Sequence, residues 1–168
     1  MIGIIICIIS LLLDGYLTNF LPYLPENLSY LTPMLTIVSI YFLYPFFRKE
    51  EKKYYMILGV LGFVYDLLYT NLLFTNAIIF IGLGIVSKYI YKNFEQGPIR
   101  TIAYILLLLI LYETTFTLLI FLFQLVPVTL DRFLYKVKHS IILNLLYGEC
   151  IFIILKIIPE KWKKIAIN

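Results

Sequence analysis

Four carboxylates, Asp14, Asp66, Glu113 and Glu149, lie inside long apolar stretches of this 168-residue chain, while every Lys and Arg falls at or beyond the end of such a stretch. An ionisable group in an apolar span costs on the order of 2.5–3.5 kcal/mol on insertion scales. Each acid must therefore be protonated, solvated in a cavity, hydrogen-bonded to groups such as Asn19, Asn71, Asn76, Thr114 or Thr115, or paired with a base on a partner. No catalytic constellation accompanies them. The single histidine, His139, stands at a segment boundary, so neither a His-based acid–base pair nor a metal cluster is expected within the apolar interior. G-x-S-x-G, H-E-x-x-H, C-x-x-C and a phosphate-cradling glycine loop are all missing. An intramembrane aspartyl protease would need two facing aspartates, and nothing around Asp14 and Asp66 supports that pairing. The chain reads as a non-enzyme without a cofactor.

The elements that must hold these acids are membrane helices. Hydrophobic residues make up 62% of the chain and charged residues 14%, with a mean hydropathy of +0.94. A soluble domain of this size has too much surface to hide that apolar content. The run 54–91 is overwhelmingly apolar and holds one carboxylate, Asp66. As one helix it would cover roughly 57 Å, nearly twice the ~30 Å hydrocarbon core, so two helices joined by a turn at 70–76 are expected. In all, six spans can be laid out at 2–20, 31–47, 54–69, 72–90, 102–126 and 140–158, separated by breaks that contain Pro22, Pro25, Asn27, Gly97, Pro98, Pro127 and Pro159. The expected fold is an all-α polytopic membrane protein, a single bundle of six transmembrane helices in one domain. The N-terminal run lacks a basic n-region and an A-x-A-like site, so it is expected to be a retained span rather than a cleaved signal. Cys7 and Cys150 lie in spans, where thiols behave as small hydrophobes.

Charge sets the expected orientation. The loop 48–53 carries four basic residues, the loop 88–100 carries Lys88, Lys92 and Arg100, and the tail carries Lys156, Lys161, Lys163 and Lys164. Six spans place these three segments on one side, so the positive-inside rule puts both termini in the cytoplasm. The net charge of +4 is accounted for in this way, without nucleic acid as a partner. Trp162 and Tyr54, Tyr55, Tyr89 and Tyr91 would form an inner aromatic belt. One segment, 129–138, carries Arg132, Lys136 and Lys138 on the opposite side. Leu130, Phe133, Leu134 and Val137 form an apolar stripe there, consistent with an interfacial helical turn on the headgroups or a docking element for an extracytoplasmic partner.

Counting about 1.5 Å per residue from the basic ends puts Asp14, Asp66 and Glu113 roughly 18–20 Å deep, with Glu149 nearer the midplane. Three acids from three helices at one depth suggest a shared polar cluster, open to the outer side. Gly59, Gly62 and Asp66 share a helix face at i, i+3, i+7, where the glycines allow close approach of another backbone. Gly82 and Gly84 in the next span offer a matching groove. With no base of its own nearby, Asp66 is expected to meet one from a partner.

The segments LLLDGYLTNFLPYLP from Leu11, LTPMLTIVSIYFLYP from Leu31 and GFVYDLLYTNLLFTNAIIF from Gly62 resemble the rod shape-determining protein MreD family. The shared features are a first span ending in an acid and a Pro-containing loop, a second span opening on Pro–apolar sequence, and a third bearing a G-x-x-x-D-like element. Here those positions are Asp14, Pro22, Pro33, Gly62 and Asp66. The resemblance covers the N-terminal half; the C-terminal third carries no signature. It implies a non-catalytic component of the bacterial cell-elongation machinery in the cytoplasmic membrane. Such a protein binds a bitopic MreC-like partner and acts, indirectly, with an MreB-like actin, a SEDS glycosyltransferase and a class B penicillin-binding protein to regulate peptidoglycan synthesis. The alternative is a substrate-binding S-component of an energy-coupling-factor vitamin transporter, which has similar size and architecture. Against it, the first span lacks a small-xxx-small alanine motif, and no cluster of Trp, His or Arg awaits a vitamin headgroup.

Overall fold

Pro33 and Pro45 bracket the segment around which the rest of the chain packs. The computed structural model describes residues 2–23, 31–70, 72–94, 97–124 and 129–157, with the side chain of Arg132 outside the description. Among the described residues there are six α-helices and no strand: α1 (Ile2–Phe20), α2 (Leu35–Leu43), α3 (Glu51–Tyr69), α4 (Thr75–Asn93), α5 (Pro98–Leu122) and α6 (Leu130–Ile157). The expected number of helices is thus found. Short 3-10 turns extend α1 over Leu21–Tyr23 and α2 over Tyr44–Phe47. Pro45 lacks an N–H and falls in the first turn of the second of these, where the α-ladder gives way to the tighter winding.

All nine residues of α2 are buried. A helix that is apolar all round belongs in a core, and α2 contacts α1, α4, α5 and α6. Its Ile37, Ile40 and Tyr41 pack with Tyr54 and Leu58 of α3, Phe80 of α4, and Ile105 and Leu108 of α5 in one cluster. With its 3-10 extension α2 is only about 21 Å long. It cannot reach across the bundle, and the space beyond its first residue must be filled or left open.

The surrounding helices expose apolar residues outward. On α1, Ile5, Ile8, Ile9, Leu12 and Tyr16 recur at helical spacing and are all exposed. That surface is the reverse of a soluble protein's. Three helical stretches, Ile2–Tyr23, Pro98–Leu122 and Phe133–Ile157, are long and apolar enough to cross a membrane, and Leu35–Phe47 is a shorter apolar helix.

Several boundaries differ from those read in the sequence. The second segment is helical only from Leu35; residues 31–34 are not helical, and Pro33 disfavours helical backbone at Thr32 before it. The third begins at Glu51, the fourth is displaced to Thr75–Asn93 and the fifth to Pro98–Leu122; hydropathy marks the apolar centre of a helix, not its polar ends. The largest correction concerns 129–138. It is continuous with the sixth span: from Leu130 it forms the first turns of α6, a helix of 28 residues. The expected turn residues Pro25, Asn27, Pro127 and Pro159 and the tail bearing Trp162 lie outside the described residues.

Candidate functional site

Two helices begin at residues unable to cap them, α2 in the interior and α4 with its first buried residue at Asn76. A helix start leaves backbone N–H groups without partners and carries the positive end of the macrodipole. The N-cap of α2 is Met34 and that of α4 is Phe74, and neither side chain makes a capping hydrogen bond. Phe74 is moreover in the left-handed region at φ 66°. Both starts are capped from elsewhere, by the two aspartates.

Asp14, on α1, receives the Leu35 N–H on Oδ1 at 2.7 Å and the Thr36 N–H on Oδ2 at 2.9 Å. Asn144 of α6 completes that start: its Oδ1 accepts the Met34 N–H at 2.8 Å and its Nδ2 donates to the Thr32 carbonyl at 3.0 Å. Asp66, near the end of α3, receives the Asn76 N–H on Oδ2 at 2.9 Å, and its Oδ1 accepts from Asn76 Nδ2 at 2.7 Å and from Thr70 Oγ1 at 2.8 Å. Tyr112 of α5 donates to Asn76 Oδ1 at 3.0 Å, tying a third helix to the pair. A carboxylate accepting backbone N–H groups at a helix N-terminus satisfies those donors and opposes the dipole at once.

Of the alternatives open to Asp66, the one found is hydrogen bonding within its own chain, and none of the donors is a cation. What balances its charge is the start of α4. Asn76, among the groups considered, is the residue that bonds it; Asn19 and Thr115 instead bond carbonyls of their own helices. Asn71 lies outside the described residues. The glycine face is likewise used internally. A Cβ on Gly62 would stand 2.5 Å from the Ala77 Cα and from the Asn76 carbonyl oxygen, so α3 and α4 meet backbone to backbone there. At Gly59 it would meet only Ile81, at an ordinary 3.6 Å. Gly84 packs on Tyr54 and Leu58, whereas Gly82 has nothing nearby.

The expected cluster of acids is partly assembled. Asp14 and Glu113 line one cavity of about 620 Å³ beyond the start of α2. Asp66 is not on its wall and connects to it through Asn76 and Tyr112. Tyr65, Tyr69 and Phe116 supply aromatic walls, and Lys136 and Tyr135 of α6 stand on the rim. Lys136 thus brings a cation to this site, which the reading of 129–138 as an interfacial turn or docking element did not anticipate. Lys138, two residues on, is exposed and does not line it. Glu113 is 2% exposed, and its Oε2 has no hydrogen-bond partner. Glu149 is half-buried on α6, away from the cavity wall, with its Oε1 also unpartnered. Among the described residues no group of His, Cys, Asp and Glu could hold a metal ion.

Asn144 and the cavity tyrosines Tyr65, Tyr69 and Tyr112 were not singled out in the sequence. Asn144 sits mid-span with a buried side chain, and an amide in an apolar helix is the signal that could have marked it. Compared with protein-family models, curated proteins and solved structures, the chain matches none.

Proposed function

We propose that this chain is a six-pass protein of the bacterial cytoplasmic membrane that serves the cell-elongation machinery as a non-catalytic scaffold, binding the membrane helix of an MreC-like bitopic partner. The observation that carries the reading is an apolar groove of about 300 Å³ between α1 and α3. Ile4, Ile8 and Leu11 form one wall and Met56, Val60 and Val64 the other, with no charged residue among its lining. Ile8, Met56 and Val60 are 49%, 66% and 59% exposed. A groove of that chemistry suits an apolar helix laid along it. The resemblance of 11–25, 31–45 and 62–80 to the MreD family supplies the kind of partner. The orientation with both termini in the cytoplasm is supported by the basic loops meeting at one end, where Lys88 and Lys92 reach Glu51. Because Asp66 and Gly62 are engaged within the chain, the partner-binding role first considered for them passes to the groove.

Affinity purification from native membranes in mild detergent tests this. The expected result is recovery of a bitopic coiled-coil protein, lost in Val60→Trp and Ile8→Trp variants that remain monodisperse. Recovery of lipid alone, or undiminished capture by both variants, overturns it. A second reading, an S-component of an energy-coupling-factor transporter, is favoured by the cavity, whose volume lies within the range of small-molecule sites. Recovery of a coupling subunit would establish that reading instead.

A further inference from the structure

We propose that the cavity beyond the start of α2 binds a small organic cation, held by the Glu113 carboxylate and by the tyrosine rings around it. The two acids on its wall are not equivalent. Asp14 has both oxygens on backbone N–H groups, and its charge is set against the α2 dipole. Glu113 has a buried oxygen without a partner, on a residue 2% exposed. A buried carboxylate left so is costly, and an ammonium group brought beside Glu113 in the cavity offsets that cost.

The remaining lining selects the sign and kind of ligand. Two carboxylates face one ammonium, Lys136, which lies exposed at the rim, acts on Glu113 through space and makes no salt-bridge contact with either acid. The positive helix start, which would otherwise attract an anion, is already occupied by Asp14. A metal ion would find too few ligands. The walls are aromatic. Tyr69 donates its hydroxyl to the Leu11 carbonyl at 2.6 Å and Tyr112 donates to Asn76 at 3.0 Å, so what these residues offer a ligand is ring surface and acceptor oxygen, and no donor for an anion. Aromatic rings beside an unspent carboxylate are the chemistry that recognises an alkyl- or arylammonium group. The inference is independent of the partner in the α1–α3 groove, and the purified chain alone can test it.

Titration calorimetry on the protein in lipid nanodiscs, with benzylammonium, benzyltrimethylammonium and the anion benzoate as probes, decides the matter. Saturable binding of at least one cation and none of benzoate is expected. Glu113→Gln should weaken that binding about 10- to 100-fold, as loss of a charge-assisted contact does, while its thermal unfolding stays close to wild type. Glu149→Gln, off the cavity wall, should bind normally, and Lys136→Gln should bind more tightly. Absence of saturable cation binding at millimolar concentration overturns the proposal. So does equal binding by Glu113→Gln, or a preference for benzoate, which would make Lys136 the anchor.

Discussion

The two ends of the bundle compensate carboxylates in opposite ways. At the end that holds the cavity, Asp14 and Asp66 are buried, 2% and 0% exposed, and each is matched to the start of a helix. At the basic end, Glu51 lies at the surface and is matched to side-chain ammonium groups, Lys88 at 2.7 Å and Lys92 at 3.3 Å. Beneath that surface the packing is aromatic, with the Tyr41 and Tyr91 rings 4.7 Å apart and Tyr44 and Tyr54 5.4 Å apart. Backbone dipoles are fixed by the fold and need no side-chain ordering, whereas a lysine must be immobilised and shares its charge with water. Removing an acid should therefore cost far more at the first end than at the second.

The largest effect is expected at Asp14. Asp14→Ala strands the N–H groups of Leu35 and Thr36 in the core at the first turn of the central helix, which should cost about 3–5 kcal/mol. Asp14→Asn keeps one acceptor and should lose about half as much. Asp66→Ala should rank just below Asp14→Ala, because Asn76 retains its bond from Tyr112. Thermal or denaturant unfolding in one detergent gives the order. If Asp14→Ala melted no lower than Glu51→Gln, capping would not be what makes the buried acids tolerable.

Gly62 and Gly59 sharpen the contrast between a face closed by backbone and one closed by a side chain. At Gly62 a methyl group meets the main chain of Asn76 and Ala77, which cannot yield without moving the start of α4 off Asp66. Gly62→Ala should cost roughly 1–3 kcal/mol. Gly59→Ala meets only the tip of Ile81 and should be neutral or stabilising by up to about 1 kcal/mol, through helix propensity. Similar melting temperatures for the two variants would show that the α3–α4 approach is looser than 2.5 Å implies.

How much of this was legible depends on range. The first helix, 2–20, is read from the sequence to the residue, and six apolar segments yield six helices. The spacing of Gly59, Gly62 and Asp66 rightly marks a close approach to the next helix, but the contact is made at Gly62 against Asn76 and Ala77 and not through Gly82 and Gly84. Hydropathy cannot see that α2 starts in the interior, since Leu31 to Phe47 is apolar apart from its Thr and Ser. Nor are Met34 and Phe74 cap residues by type, so no local signal links Asp14 to Leu35, 21 positions away. Glu113, Lys136 and the tyrosines meet only when α5 and α6 pack across the space that short α2 leaves.

The smallest effect should be the most sensitive to conditions. Lys88 and then Lys92, by hydrogen bonding to Glu51, hold its carboxyl below the ordinary value of 4.5. A carboxyl lowered in the folded state contributes stability that is present above its unfolded value and is lost as pH falls through the folded one. Glu51→Gln should thus lower Tm by no more than about 2 °C at neutral pH. That difference should shrink as the pH falls below 4.5, and at neutral pH it should fade in about 1 M salt, where the Debye length is roughly 3 Å. The Asp14→Asn difference should survive the same salt, because its partners are buried N–H groups and no mobile ions reach between them. Equal salt sensitivity of the two variants would mean that water and ions enter the cavity freely enough to screen Asp14, and the distinction between the two ends would then rest on geometry alone.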